Sequence, residues 1–119
     1  MNKLVLTAVL SVAATMAVVY SLAAADAMPQ VVKLEKPRVT VTEATHAPGA
    51  PREPYVRPSD QVIVFLDDAS YDRVDPATGE KRRVTRKSGE VIWHDKGEQA
   101  PRLINAGSKP YRTLIIALK

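Results

Sequence analysis

The 119-residue chain lacks several residue types or has few of them, and each shortage narrows its chemistry. It has no cysteine, which excludes disulfide bonds, thiolate metal ligands and a cysteine nucleophile. Its five glycines do not form a Gly-rich phosphate-binding loop. It has only two histidines, His46 and His94, so few side chains are available for metal binding or for proton transfer at neutral pH.

The remaining composition predicts one small folded domain. Hydrophobic residues make up 45% of the chain and charged residues 25%, which does not indicate disorder. The net charge is +4. One of the 17 basic residues, Lys3, lies in the N-terminal segment, whereas every acidic residue lies at Asp26 or later. The part after residue 25 is therefore only mildly basic, and we expect no nucleic-acid partner.

The N-terminal segment has the pattern of a secretory signal. A short positive start at Lys3 precedes an apolar run over residues 4–19, and alanine-rich A-x-A sites follow before Asp26 and before Met28. We predict a signal-peptide helix within residues 1–27, cleaved near residue 25 or 27, and a periplasmic or secreted mature protein. An uncleaved membrane anchor is the alternative, because residues 4–25 approach the roughly 20 residues needed to span a bilayer.

The rest of the chain predicts an all-β domain. Short apolar or alternating runs are separated by turn residues, and no helical periodicity is evident. Four prolines and Gly49 within residues 47–58 predict a loop packed over the sheet, or alternatively a linker. Residues 31–34 and 39–42 are expected to form two edge strands, and 62–66 a strand covered on both faces. The other predicted strands are 70–74 and 80–86 as a hairpin, 90–94, 102–105 and 111–118.

The last predicted strand has two distinct faces. Leu114, Ile116 and Leu118 alternate with Tyr111, Thr113 and Ile115.

In the preceding hairpin, a basic cluster includes Lys81-Arg82-Arg83 and Arg86-Lys87, and Asp72 and Asp75 are its expected partners. A solvated hairpin and a surface for anionic lipids or cell-wall polymers are both compatible with this cluster.

Two sequence motifs resemble those of the cupins, whose fold is a double-stranded β-helix or small jelly-roll barrel. The first cupin motif begins with Pro-Gly, contains His-x-His and ends near a Glu or Gln. Here Pro48-Gly49, Tyr55-Val56-Arg57 and Gln61 stand in this order. The second motif has a glycine skeleton, a histidine and a final asparagine, and Gly89, Gly97 and Asn105 match that skeleton. The resemblance covers residues 39–119 and implies a cupin-like β domain after an N-terminal extension at 28–38.

The departures from these motifs are as informative as the matches. Tyr55 and Arg57 stand where the resemblance implies metal-binding histidines, and Gln99-Ala100-Pro101 replace the histidine of the second motif. A guanidinium has no lone pair to offer a metal, whereas imidazole is a common ligand. We therefore expect no metal site and no cofactor.

The candidate ligand-binding residues are Tyr55, Arg57, Gln61 and Trp93. The resemblance implies that the first three project into the barrel, where Arg57 would offer planar donors to a carboxylate or phosphate. A solvated loop arginine is the alternative. Trp93 is expected to pack in the core or to stack on an apolar or sugar-like ligand, and His94 to be exposed beside a loop. Pairing of His94 with Asp95 is not expected, because neighbours on a strand point to opposite faces.

These features predict a non-catalytic protein that binds a small acidic or sugar-like molecule, or a periplasmic interaction module. A metal-free isomerase or lyase acting on a sugar or small acid, using Tyr55, Arg57 and His94, is one alternative. A membrane-anchored surface protein is another, and it requires an uncleaved leader. The cupin resemblance also implies a possible homodimer.

Overall fold

The computed structural model describes residues 28–119, and the predicted signal peptide lies outside them. This part of the chain forms eleven strands and no helix, as the all-β prediction requires. No helix within it is long and apolar enough to cross a membrane. The strands are β1 (Gln30–Lys36), β2 (Val39–His46), β3 (Pro51–Arg52), β4 (Tyr55–Val56), β5 (Gln61–Phe65), β6 (Ala69–Val74), β7 (Lys81–Arg86), β8 (Val91–His94), β9 (Gln99–Ala100), β10 (Arg102–Asn105) and β11 (Tyr111–Leu118).

The strands form two main antiparallel sheets. The larger has five strands in the order β1-β2-β11-β5-β8, and the smaller has four in the order β3-β10-β6-β7. The short strands β4 and β9 pair separately. The core includes Phe65 and Tyr111 from the larger sheet and Tyr71 from the smaller one, with ring centroids 6.1–6.3 Å apart. The two sheets therefore face each other across an aromatic core.

Alternation along the strands decides which residues reach this core. In β11, Tyr111 and Thr113 are buried and Ile115 packs against the core, whereas Leu118 on the other face is exposed. The predicted division of this strand into two faces is therefore confirmed. The predicted coverage of 62–66 on both faces is wrong, since only Gln61, Ile63 and Phe65 in β5 are buried.

Several apolar residues that do not enter the core lie on the outer face of the larger sheet. Val41, Ile116, Val62 and Trp93 lie opposite one another on the four neighbouring strands β2, β11, β5 and β8. The first three are half-buried and Trp93 is exposed. The apolar run in β5 thus serves the barrel core with one face and this outer row with the other.

The two predicted edge strands occupy different positions in the larger sheet. Strand β1 is the edge of the larger sheet and all seven of its residues are exposed. The prediction that residues 39–42 form a second edge is wrong, because β2 lies between β1 and β11. Residue 44 is fully buried and His46 is nearly so, which places the even-numbered face of β2 inside.

The predicted hairpin is confirmed, with β6 and β7 paired over their whole length. Asp75 shapes its turn, because Oδ1 accepts hydrogen bonds from the backbone N–H groups of Ala77 and Thr78 at 2.8 and 2.9 Å. On the outer face, Arg83 Nε lies 2.9 Å from Asp72 Oδ1. Asp72 is thus the partner of Arg83 in the basic cluster, whereas Asp75 serves the turn.

Asn105 organises the turn between β10 and β11. Its buried amide nitrogen donates to the carbonyl oxygens of His46 and Lys109, both at 2.9 Å, and its Oδ1 accepts from the Gly107 N–H at 2.8 Å. These bonds join the turn to the end of β2. The asparagine of the second motif therefore has a structural task that needs both a donor and an acceptor.

Replacing Asn105 with alanine should lower the free energy of unfolding by about 2–3 kcal/mol, because buried carbonyl groups lose their donor. Urea denaturation followed by tryptophan fluorescence measures this change. Ser108→Ala in the same turn is the control and should change stability by less than about 0.5 kcal/mol, since its side chain is exposed. An unchanged urea midpoint for Asn105→Ala would contradict the structural role.

Candidate functional site

A cavity of about 260 Å³ opens between the two sheets. Part of its wall is aromatic or aliphatic and comes from the core. The rest is polar and strongly basic. The apolar part includes Ile63, Phe65, Tyr71, Tyr111 and Ile115, and the charged or titratable part includes Arg52, Arg57, Arg73, Arg82, Arg86, His46, His94 and Glu98.

Three of the four predicted site residues are joined by hydrogen bonds. Tyr55 and Arg57 line the cavity, and the buried Gln61 contacts Arg57. The Arg57 guanidinium donates from Nη1 to the Tyr55 hydroxyl at 3.1 Å and to Gln61 Oε1 at 2.9 Å. Gln61 is buried and Arg57 is only 4% exposed, so Arg57 is not the solvated loop residue of the alternative prediction. Two neutral acceptors hold the guanidinium in one orientation without neutralising it.

The backbone fixes Arg57 as firmly as its side chain does. Its N–H donates to the Glu98 carbonyl at 2.9 Å, and its own carbonyl accepts from the Gly97 N–H at 2.8 Å. Gly97 has a φ of 84°, a left-handed conformation that favours glycine. Gly97 of the second motif therefore forms a turn whose backbone is hydrogen-bonded to Arg57 of the first motif.

Glu98 is the carboxylate closest to Arg57 and was not singled out from the sequence. Its Oε2 lies 3.3 Å from Arg57 Nε, although this N–H makes no hydrogen bond with a described residue. The same oxygen lies 2.6 Å from His94 Nδ1. Because a carboxylate can only accept, Nδ1 donates and a neutral His94 keeps its lone pair on Nε2.

His94 lies in the cavity wall, with 23% of its side chain exposed, so the expectation of an exposed histidine is wrong. It is directly opposite Gln61 in the register of β5 and β8, on the inner face. Burial first and the Arg57 charge second lower its pKa below the usual value, and the Glu98 hydrogen bond opposes them. His94 is thus biased towards the neutral form.

Trp93 stands apart from the other three candidates. It borders the cavity, but its side chain is 51% exposed on the outer face of the larger sheet. Its indole N–H donates to Asp95 Oδ1 at 2.9 Å. The prediction of core packing is therefore wrong, and Asp95 pairs with Trp93 rather than with His94.

Arg52 and His46 are cavity residues that were not among the sequence candidates. The Arg52 Nη2 group donates to the Pro101 carbonyl, and its guanidinium carbon lies 5.4 Å from the centre of the Tyr55 ring. His46 stacks on Tyr111 with ring centroids 4.4 Å apart and an angle of 7°. Burial first and the charge of Arg52 second lower the His46 pKa to about 4. The sequence did not point to these two residues, because the pairing of β3 with β10 and of β2 with β11 decides which of their side chains face the cavity.

The charge of the cavity wall is unbalanced. Five arginines line it, and Glu98, which is half-exposed, is the one carboxylate among its lining residues in the described part of the chain. Arg86 is paired with Glu90 at 2.8 Å. Arg57 is paired with Glu98 at 3.3 Å. Arg52, Arg73 and Arg82 have no ion pair within residues 28–119, so the cavity with its apolar walls is electropositive.

The polar groups around Arg57 do not suit the metal ion that many cupins hold. Gln61 Oε1 already accepts from the guanidinium, and the nearest carboxylate oxygen lies beside the same positive charge. A divalent cation would meet electrostatic repulsion there. Residues 28–119 contain no group of three His, Cys, Asp or Glu side chains that could hold a metal ion.

Comparisons with known proteins agree with this architecture. No protein-family model and no curated protein sequence matches the chain. Among solved structures, a cupin domain from Bordetella pertussis Tohama I is 19% identical with a TM-score of 0.69, and the match covers 78% of this chain and 94% of that domain.

Two further solved structures share the architecture at similarly low identity. A double-stranded β-helix protein from Klebsiella pneumoniae is 22% identical, with a TM-score of 0.56 and 76% of each chain covered. The polyketide cyclase RemF from Streptomyces resistomycificus is also 22% identical, with a TM-score of 0.60 and 76% of this chain covered. The match spans 64% of the cyclase. Identities this low establish architecture and not activity. The two facing sheets and their structural relatives show that the chain has the cupin fold.

Proposed function

We propose that the protein binds a small organic acid in its barrel cavity, with the carboxylate on Arg57. The observation that carries this proposal is the buried guanidinium held by Tyr55 and Gln61. Its Nη2 donors have no partner within residues 28–119. The two N–H groups of Nη2 can donate charge-assisted hydrogen bonds to a carboxylate, and the cavity's apolar wall suits a hydrocarbon chain.

Isothermal titration calorimetry with straight-chain carboxylates tests the proposal. Butyrate, hexanoate and octanoate supply one carboxylate with chains of increasing length, and the corresponding alcohols are matched neutral controls. We expect saturable binding of at least one acid and none of its alcohol. Equal binding of acids and alcohols, or no binding of any acid, would overturn the proposal.

The hydrogen bond between His94 and Glu98 favours a second candidate, a metal-free isomerase or lyase. A neutral histidine oriented by a carboxylate can act as a general base next to a bound acid. Its distinguishing reaction is removal of a proton from the carbon beside the ligand carboxylate. Proton NMR in D₂O would detect exchange at that carbon, and its absence for every bound acid would favour binding without catalysis.

Export and self-association remain proposals for the whole chain. We propose cleavage near residue 25 or 27, because the A-x-A sites follow an apolar run, and a periplasmic or secreted location. The apolar row of Val41, Ile116, Val62 and Trp93 supports a homodimer formed through the larger sheet.

Mass spectrometry of protein recovered after export checks both proposals. The denatured mass should correspond to a chain that starts at Asp26 or Met28, and the native mass should be twice that value. A full-length chain in the membrane fraction would instead support the anchored alternative. A native mass of one chain would exclude the dimer.

A further inference from the structure

Three of the cavity arginines lie in one row across the smaller sheet. Arg52 pairs with Leu103, Leu103 with Arg73, and Arg73 with Arg82 across strands β3, β10, β6 and β7. Directly opposite residues in neighbouring strands share a face, and all four residues line the cavity. The row is therefore on the inner side of the hairpin.

Arg73 and Arg82 are the unusual part of this row. Like charges directly opposite each other in a sheet repel, and the two side chains are about 5 Å apart at Cβ in such pairs. Neither makes an ion pair with any residue that the structure describes. Asp75 is near Arg73, but one of its oxygens is committed to the hairpin turn.

The opposite face of the same hairpin shows the ordinary arrangement. There Arg83 lies opposite Asp72, and two hydrogen bonds of 2.9 and 3.3 Å join them. On the outer face of the hairpin an arginine therefore lies opposite a carboxylate, whereas on the face towards the cavity two arginines lie opposite each other. Arg73 and Arg82 are exposed and have no carboxylate partner within residues 28–119, so a bound anion would relieve their repulsion.

We propose that Arg73 and Arg82 form a second anion subsite, so that the ligand carries two anionic groups. This inference rests on the proposed binding of a carboxylate at Arg57 and specifies the class of ligand. One carboxylate binds at Arg57, the hydrocarbon lies along the apolar wall, and the other carboxylate neutralises the arginine pair. The preferred ligands are therefore linear dicarboxylic acids or related dianions.

Calorimetry with matched acids separates the two subsites. The dicarboxylates succinate, adipate and suberate are compared with butyrate, hexanoate and octanoate. We expect the best dicarboxylate to bind about tenfold more tightly than the monocarboxylate of equal length, as charge-assisted bonds at an exposed pair allow. The double variant Arg73→Gln/Arg82→Gln should remove this advantage while monocarboxylates still bind at Arg57, with an affinity lowered only by the weaker positive potential of the cavity.

Two further variants separate charge from structure. Arg83→Gln removes an arginine from the outer face of the same strand and should leave the dicarboxylate advantage intact. Arg82→Lys keeps the inner charge and should retain most of it. The melting temperature of free Arg82→Gln should equal or exceed that of the wild type, since a repulsion is removed, whereas Arg83→Gln should not gain stability.

The outcomes distinguish this inference from the function on which it rests. Monocarboxylates that bind through Arg57, together with dicarboxylates that bind no better, would overturn the second subsite alone. An advantage that survives in the double variant would also overturn it. If no carboxylate of either series binds the wild type, the proposed function falls and the second subsite falls with it.

Discussion

Replacing Arg57 with glutamine is expected to weaken carboxylate binding at least about 100-fold, because two charge-assisted hydrogen bonds in a partly desolvated cavity are lost. The guanidinium is buried and already oriented, so little ordering opposes ligand binding. Calorimetry with the tightest acid found for the wild type measures the loss. Circular dichroism and the melting temperature show whether the variant still folds.

The choice of control decides what this experiment means. Arg57→Lys keeps the charge but not the fork of N–H donors, so we expect weaker binding that is not abolished. Arg83→Gln lies outside the cavity and should bind as the wild type does. If folded Arg57→Gln keeps the wild-type affinity, Arg57 does not hold the ligand.

The free energy of unfolding should fall by about 3 kcal/mol between pH 6.5 and pH 4, because of His46. Its pKa is lowered from 6.5 to about 4 in the folded chain. Below pH 6.5 the unfolded chain therefore binds a proton that folded His46 does not, and stability is lost as the pH falls. Below pH 4 both states are protonated and this loss is complete.

Denaturation in guanidinium chloride at a series of pH values measures this dependence. His46→Phe keeps an aromatic ring to stack on Tyr111 but cannot titrate, so its stability should vary much less over this range. His94→Gln is the second control, since the lowered pKa of His94 acts in the same direction. An equal slope in the wild type and His46→Phe would contradict the assignment to His46.

The strand pattern of the sequence predicts most of the fold. The hairpin of β6 and β7 and the two faces of β11 follow from turn residues and strict alternation, which are local signals. The faces of β2 and β5 do not follow in the same way. Valines occur on their outer faces because the larger sheet is also apolar outside, so hydrophobicity alone does not mark the barrel interior.

The site is predictable to the extent that one motif builds it. Tyr55, Arg57 and Gln61 lie within seven residues of sequence and are joined by hydrogen bonds, with Tyr55 and Arg57 in the cavity wall. Glu98 could have been suspected, because the loop that it shares with Gly97 belongs to the second motif. Arg52 gives no such signal: it lies in the proline-rich segment and reaches the cavity only because β3 pairs with β10.

Pairing across the hairpin adds information that composition hides. The basic cluster of residues 81–87 reads as one surface feature, yet the register sends Arg83 outward to Asp72 and Arg82 inward beside Arg73. Arg83 therefore meets an opposite charge, whereas its neighbour Arg82 meets a like charge. This difference depends on the strand register, which is fixed only in the folded chain.

The bonds of Arg57 also bear on how a small domain without cysteine closes its barrel. Its backbone and side chain connect three segments: the end of β4, the start of β5 and the turn at Gly97. Small domains with little core often use a disulfide or a metal to join such distant segments. Here a guanidinium serves as that staple, so a ligand that draws Arg57 away from Gln61 would loosen the same corner of the barrel that it enters.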